Sequence, residues 1–456
     1  MSTTNTALSI DEVRAAFAGE VIAPGDASYD GARAGFLPSV DRRPAVIIRP
    51  ADVQEVARVV SLARESGLEL AVRSGGHSAT GHSSTEGGIL LDLSSLNGVE
   101  IDPERRLARV EAGATAEELT EASAAHGLAI GLGDTGSVGI GGLTLGGGVG
   151  YLVRKHGLTI DSLLGADVVT AGGELVRADD ETNPDLFWAL RGGGGNFGVV
   201  TRFTFRLQPL DLVTGGMLVL PATADAIASF IAEAEAAPEE LSTIANVMPA
   251  PPMPQIPAER HGELVILAMM VHAGAPEDGE RVLARFRALA PPVTDLLRPM
   301  SYPEIYPPGE ERGPLAVARN LFLDEVDAGV ATTILEHLGR SSALMPVAQL
   351  RVLGGAMARV PPEATAFAHR GSRIMVNLAA IYSTPDEAPL HEAWVNDFAA
   401  AIRQEDTGAY VNFLGSEGEA AVRAAYPGRT FDRLAEVKRR WDPANVFRLN
   451  HNISPA

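Results

Sequence analysis

This chain of 456 residues contains no cysteine. That absence removes disulfides, thiol nucleophiles and thiolate metal sites together, and it fits a reducing compartment. Basic residues are also scarce, with 37 Lys and Arg against 58 Asp and Glu and a formal charge of −21. Such a chain is not built to hold a nucleic-acid backbone or an anionic membrane surface, so neither is expected as a partner. Any phosphate it binds must be gripped by backbone N–H groups. No apolar run approaches the ~20 residues needed to cross a bilayer, and residues 1–11 lack the basic-then-apolar order of a secretory signal, so a cytoplasmic location is the expectation. The ten histidines show no HExxH or comparable spacing, and no metal is expected. At this length a single hydrophobic core is exceeded and two domains are expected; nothing in the sequence reads out the oligomeric state.

What is present is a chain of alternating elements punctuated by glycine. Strands are predicted at Ala45–Arg49, Leu68–Arg73, Gly88–Leu93, Leu107–Glu111, Asp167–Thr170 and Gly198–Leu207. Helical spacing marks Ala51–Ser66, and Thr115–His126 opens with Thr115 and Glu118 in a capping-box pattern. From about 211 the texture changes. Residues 247–257 (VMPAPPMPQIP) are proline-rich and read as loop. Strands are predicted at Glu263–His272 and Arg373–Tyr382, and helices at Pro276–Leu289, Ala328–Ser341, Pro389–Arg403 and Phe431–Trp441. These elements imply a sheet with helices on one face and the other left for a ligand.

The 48 glycines are not spread evenly, and three clusters stand out, RSGGHS at 73–78, GDTGSVGIGGLTLGGGVGY at 133–151 and RGGGGNFGVVT at 191–201. Glycine lets a ligand approach the main chain without meeting a Cβ, and successive N–H groups in such turns hold anions. Gly193, Gly195 and Gly198 match a G-x-G-x-x-G fingerprint, but the next segment, VVTRFTFRL, alternates as a strand where that fingerprint should open a helix. A nicotinamide-type Rossmann site is therefore disfavoured, and no G-K-[ST] occurs for a P-loop.

RSGGHS, EGGILLDLSSLN, VGIGGLTLGGGVGYLVRKHGL, RGGGGNFGVVT and a terminal AYVNF…RLAEVKRRWDPANVFRLNHNI, in this order, resemble the berberine-bridge-enzyme-like FAD-linked oxidases of the vanillyl-alcohol-oxidase (PCMH) superfamily. The bacterial 6-hydroxynicotine oxidase type is most similar in length and layout. The resemblance implies an α+β fold in which 1–208 plus 409–456 form a PCMH-type FAD-binding domain. An antiparallel sheet with helices, 209–408, would be inserted as the substrate domain. It further implies FAD attached through its 8α-methyl to His77, with cofactor contacts from Arg73, Ser74, Gly75, Gly76 and Ser78, from Gly133, Asp134, Thr135, Val138, Gly139, Gly142, Thr144, Gly146, Gly147 and Gly150, and from Asn196, Gly198, Val199, Asn450 and Asn452. Many relatives attach the flavin again through a cysteine where Thr135 stands here. With no cysteine that second bond is impossible, which weighs against a large sugar substrate.

Tyr410 matches the family's catalytic or substrate-orienting tyrosine, and Tyr382, at the end of RIMVNLAAIY, is a second candidate whose alternation with Asn377 leaves open which of them faces the flavin. Only Ser383 or its neighbours stand where some relatives carry a catalytic glutamate, so dehydrogenation is expected rather than acid-assisted cyclisation. Val138 occupies a position that resembles an oxygen gate. The expected function is oxidation of a small secondary alcohol or amine, aromatic or secondary-metabolite-like, by O2 with release of H2O2. A same-fold dehydrogenase with another acceptor, a carbohydrate oxidase and a non-catalytic flavin binder are the alternatives.

Overall fold

In the computed structural model of this protein, residues 9–306 and 313–455 are described. The chain begins with a four-stranded sheet of β1 (Glu20–Ile22), β2 (Val46–Arg49), β3 (Leu70–Arg73) and β4 (Ile89–Asp92), ordered β1-β2-β4-β3. β2 and β3 both run parallel to β4, which requires a crossover connection. Helix α1 (Val53–Ser66) supplies it. Asp52 caps its N-terminus by accepting the N–H of Glu55, and Gly67 ends it in the left-handed region. Val56, Val59, Val60 and Ala63 form its buried face.

A five-stranded antiparallel sheet comes next, made of β5 (Val99–Asp102), β6 (Leu107–Glu111), β7 (Leu163–Val169), β8 (Leu175–Ala178) and β9 (Val199–Arg206), ordered β5-β6-β9-β7-β8. Between β6 and β7 lie α2 (Ala116–Ala124), with the expected Thr115/Glu118 capping box, and the glycine-rich α3 (Ile140–Gly146). Phe203 and Phe205 of β9 are fully buried in a core shared with α1 and with Leu434 and Val437 near the C-terminus. The G-x-G-x-x-G segment forms one 3₁₀ turn, Gly194–Asn196, and passes straight into β9, which removes the helix a Rossmann site needs.

The middle of the chain builds an eight-stranded sheet. Its long strands are β10 (Val213–Pro221), β11 (Leu241–Pro249), β12 (Leu264–His272), β13 (Leu315–Leu323), β14 (Met345–Val352) and β15 (Ile374–Tyr382). They run β10-β12-β11-β14-β15-β13, all antiparallel, with short strands Thr294–Asp295 and Arg298–Met300 beside β10. Helices α4 (Ala224–Ala236), α5 (Pro276–Arg287), α6 (Ala328–Arg340) and α7 (Ala388–Ile402) cover one face through Phe230, Phe286, Ile334 and Phe398. The opposite face turns toward the glycine-rich half. One expectation needs correcting: residues 247–249 are strand, not loop. Val247 is a core residue, and Pro249 closes the strand opposite Leu264, where its missing N–H falls at the end of the ladder.

Buried arginines tie the two halves together. Arg154 donates to the carbonyls of Ala234 (2.6 Å) and Ala237 (3.0 Å), at the C-terminal end of α4, and to that of Leu241 (3.1 Å), which opens β11. Arg370 makes a two-pronged bond to Asp161, both contacts 2.8 Å. The chain ends in α8 (Arg429–Trp441) and an irregular tail that returns to the first half. Among the described residues no helix is long and apolar enough to cross a membrane.

Candidate active site

The three glycine clusters and the C-terminal tail converge on one cavity of 470 Å³. The turn after β3 contributes Ser74, Gly75, Gly76, His77 and Ser78 to its wall. The loop before α3 and the start of that helix contribute Gly133, Asp134, Thr135, Val138, Gly139 and Gly142. Asn196, Gly198 and Val199 come from the turn into β9, and Asn450 from the tail. The large sheet closes the cavity with Ala318 of β13 and Asn377 of β15, and the segment 410–414 lies beside them.

Glycine is required here by close approach. A Cβ on Gly75 would lie 2.2 Å from the backbone N of Gly139, and one on Gly139 would lie 2.1 Å from that of Gly75, so the first two clusters touch main chain to main chain. Gly142 and Gly195 are different: a Cβ there meets nothing within 4 Å, yet both line the cavity. The fold does not need their smallness, but a ligand lying against the backbone would. The buried side-chain oxygen of Asn450 also has no partner within the protein, although its amide nitrogen bonds the carbonyls of Gly195 and Phe447.

His77 stacks on Phe36 with ring centroids 4.0 Å apart and shares a 3.1 Å hydrogen bond with the Ser137 hydroxyl through Nε2. Burial pushes its pKa below the ordinary histidine value, so the imidazole is neutral and keeps a nucleophilic lone pair at physiological pH. The Tyr410 hydroxyl is buried and receives two N–H donors, the backbone of Gly148 at 2.9 Å and Asn412 Nδ2 at 3.0 Å. Burial raises its pKa, while those donors pull in the other direction. Asn412 is held in turn by the carbonyl of Leu143 at 3.0 Å.

Several expected contacts lie behind this wall. Arg73 supports the first loop from beneath, pairing with Asp92 at 2.8 Å and donating to the carbonyls of Ala32 and Ala34. Thr144 is buried within α3. Gly146 and Gly147 make room for neighbours, since added Cβ atoms would meet Asn412 at 1.9 Å and Tyr410 at 3.4 Å, and Gly150 packs on the carbonyl of Leu132. Asn452 faces a separate groove between α8 and the helical segment Glu419–Ala425. Tyr382 is not brought to the cavity. Even-numbered residues of β15 face the helices, and Tyr382 stacks on His391 of α7, whereas Asn377 has the opposite parity and lines the cavity. Sequence reasoning gives Asn412, two residues from Tyr410 in a Y-x-N motif, only a backbone-bonding role and no part in the site, and it misses His82 and His451, which line the cavity and meet edge to face at 5.1 Å.

A chamber walled by glycine backbone, with a neutral histidine on one side and a buried tyrosine on another, defines a flavin-dependent oxidoreductase with the residues to hold FAD. Residues 44–179 match the FAD binding domain family and residues 409–454 the berberine and berberine-like family. The (R)-6-hydroxynicotine oxidase of Paenarthrobacter nicotinovorans is 32% identical, with 96% of this chain and 97% of that protein covered. The xylooligosaccharide oxidase of Thermothelomyces thermophilus is 28% identical over 91% of this chain and 88% of its own. The crystal structure of 6-hydroxy-D-nicotine oxidase from Arthrobacter nicotinovorans superposes with a TM-score of 0.86 at 30% identity, covering 96% of this chain and 98% of that one. The protein belongs to the berberine-bridge-like family of FAD-linked oxidoreductases.

Proposed function

We propose that this enzyme carries FAD bonded covalently to His77 and oxidises a small secondary alcohol or amine, passing the electrons to O2 to release H2O2. The observation that carries the reading is Tyr410. Both bonds to its oxygen come from N–H donors, so its own hydrogen is left for a ligand. Its raised pKa keeps that hydrogen in place at neutral pH. Tyr410 therefore binds and orients the substrate oxygen or nitrogen, and as charge shifts onto its own oxygen the two donors stabilise it. The bound flavin supplies the hydride acceptor.

His77 fits covalent attachment because it is neutral, oriented by Ser137 and on the cavity wall. Val138, half-buried on the same wall, leaves the small side chain expected of an oxygen-reactive site. Leu143, Phe413 and Leu414 add apolar surface to the lining, which suits an aromatic ring. The likeness to a xylooligosaccharide oxidase supports a carbohydrate as the second reading, and Thr135 in place of a second attachment point weighs against it. Acid precipitation of the yellow protein tests the bond: colour should stay in the pellet for the wild type and leave with the supernatant for His77→Ala. A screen of secondary alcohols, amines and oligosaccharides for peroxide release tests the activity. Bleaching of the flavin without peroxide in air would replace the oxidase with a dehydrogenase.

A further inference from the structure

Four carboxamides stand in one row across the large sheet. Asn320 on β13 lies opposite Asn377 on β15, Asn377 opposite Gln349 on β14, and Gln349 opposite Asn246 on β11. Residues directly opposite in antiparallel strands share a face, and this row lies on the face turned to the cavity. The adjacent residues Leu321, Val376, Leu350 and Val247 belong to the helix-side core. A buried amide costs free energy unless it is paired, so the destination of each bond shows what the row is for.

Both ends of the row are tied. Asn246 donates to the carbonyl of Leu267 at 3.2 Å and accepts from Gln349 at 3.0 Å. The Gln349 oxygen accepts from Arg351 Nε at 3.0 Å, and Arg351 pairs with Asp134 in the glycine-rich half. At the other end the Asn320 oxygen accepts the backbone N–H of Tyr410 at 2.6 Å. Asn377 makes no side-chain hydrogen bond to the rest of the row. It is the member of the row that lines the cavity, and its side-chain oxygen is buried without a partner; the amide nitrogen of Asn320, on the opposite residue, is also buried and unpartnered.

We propose that Asn377 reads the substrate, accepting a hydrogen bond from a neutral donor, a ring hydroxyl or ring N–H, carried on the part of the molecule remote from the bond oxidised at Tyr410. This rests on the oxidase reading of the cavity. Neutrality follows from charge: Asp134 is the one carboxylate in the described lining, no Lys or Arg lines it, and Arg351 already pairs with Asp134. A carboxylate ligand would find no free counter-charge. A ring hydroxyl would give the buried Asn377 oxygen the hydrogen bond it lacks, an ether could not, and that gain is the basis of discrimination.

The test uses ligands that cannot be oxidised. 4-Hydroxyacetophenone, 4-methoxyacetophenone and 4-acetylbenzoate are titrated into the flavin-loaded enzyme, and dissociation constants are read from the change in flavin absorbance. The wild type should bind the hydroxy ketone about tenfold tighter than the other two, the usual worth of one hydrogen bond gained. Asn377→Leu and Asn377→Ala should erase the preference with flavin content and melting temperature unchanged, while Asn377→Asp, which keeps an acceptor, should retain it. Equal affinities in the wild type, no absorbance change with any probe, or a preference that survives both apolar variants would overturn the proposal. Peroxide release from 1-(4-hydroxyphenyl)ethanol reports separately on the oxidase reading. Peroxide with a preference insensitive to Asn377 sinks only the inference, and a preference that depends on Asn377 without peroxide supports the inference and sinks only the activity.

Discussion

Lys438 and Asp442 stand one helical turn apart, 2.7 Å from each other, and neither side chain has any solvent exposure. The ammonium spends its other donors on the carbonyls of Asn196 and Phe447, each at 2.8 Å. Asp442 accepts the N–H groups of Val446 at 2.8 Å and Phe447 at 2.9 Å. The pair thus fastens the C-terminal tail to the third glycine turn, two walls of the flavin cavity. Lys438→Met would strand a carboxylate in the core, at a cost of about 3–5 kcal/mol. Chemical denaturation should show that loss together with a lower flavin content; a change under about 1 kcal/mol, the scale of an ordinary exposed ion pair, would mean that the pair is not what holds the tail.

Tyr410→Phe removes the oriented hydroxyl and leaves the Gly148 and Asn412 donors facing a ring edge. On the best substrate found, kcat should fall by about 10²–10³, in the range usual for a positioned proton-handling group, with the flavin still attached. A variant within threefold of wild type would assign Tyr410 to packing.

Gly146→Ala makes a sharper case, because alanine within an exposed helix normally stabilises by about 0.5–1 kcal/mol. Here the new methyl would sit 1.9 Å from the Asn412 side chain, so Asn412 must move and Tyr410 loses one donor. Lower stability and a reduced kcat are expected together. A gain in melting temperature with full activity would show that the contact relaxes without consequence.

Burial holds His82 at about 3, and His156 and His451 at about 4. The unfolded chain therefore binds more protons than the folded one below about pH 6.5, the free histidine value, and stability present above that pH is lost as pH falls toward 4. Each such proton contributes a slope of about 1.4 kcal/mol per pH unit. The melting temperature of the flavin-loaded enzyme should drop steadily from pH 7 to pH 5; a flat profile across that window would show that these rings are protonated in the native state.

The sequence carried the cavity further than it carried the sheet that closes it. Ser74 to Ser78, Gly133 to Gly142 and Asn196 to Val199 are contiguous loops, so local composition revealed them. β13 and β14 were missed because LAVARNLFL and MPVAQLRV place Arg319, Asn320, Gln349 and Arg351 inside otherwise apolar runs, and in a one-dimensional reading these polar residues interrupt a core strand. Folded, they form the polar wall of a half-buried sheet. Between Tyr382 and Asn377 only the parity of β15 decides, and parity is fixed by pairing with strands about 30 and 60 residues away in sequence. The Arg351–Asp134 pair joins residues 217 positions apart, beyond any local signal.

That parity has a consequence for how such an enzyme changes. On β13, β14 and β15 side chains alternate between the helix-side core and the opposite face, and from that opposite face Ala318 and Asn377 reach the ligand chamber. Substitution at the chamber-facing positions would change what a ligand meets and spare the apolar layer that keeps the chain folded. A single inserted residue in any of those strands would exchange the two sets and forfeit both. New chemistries are therefore reached along this scaffold by replacement, and lost by insertion.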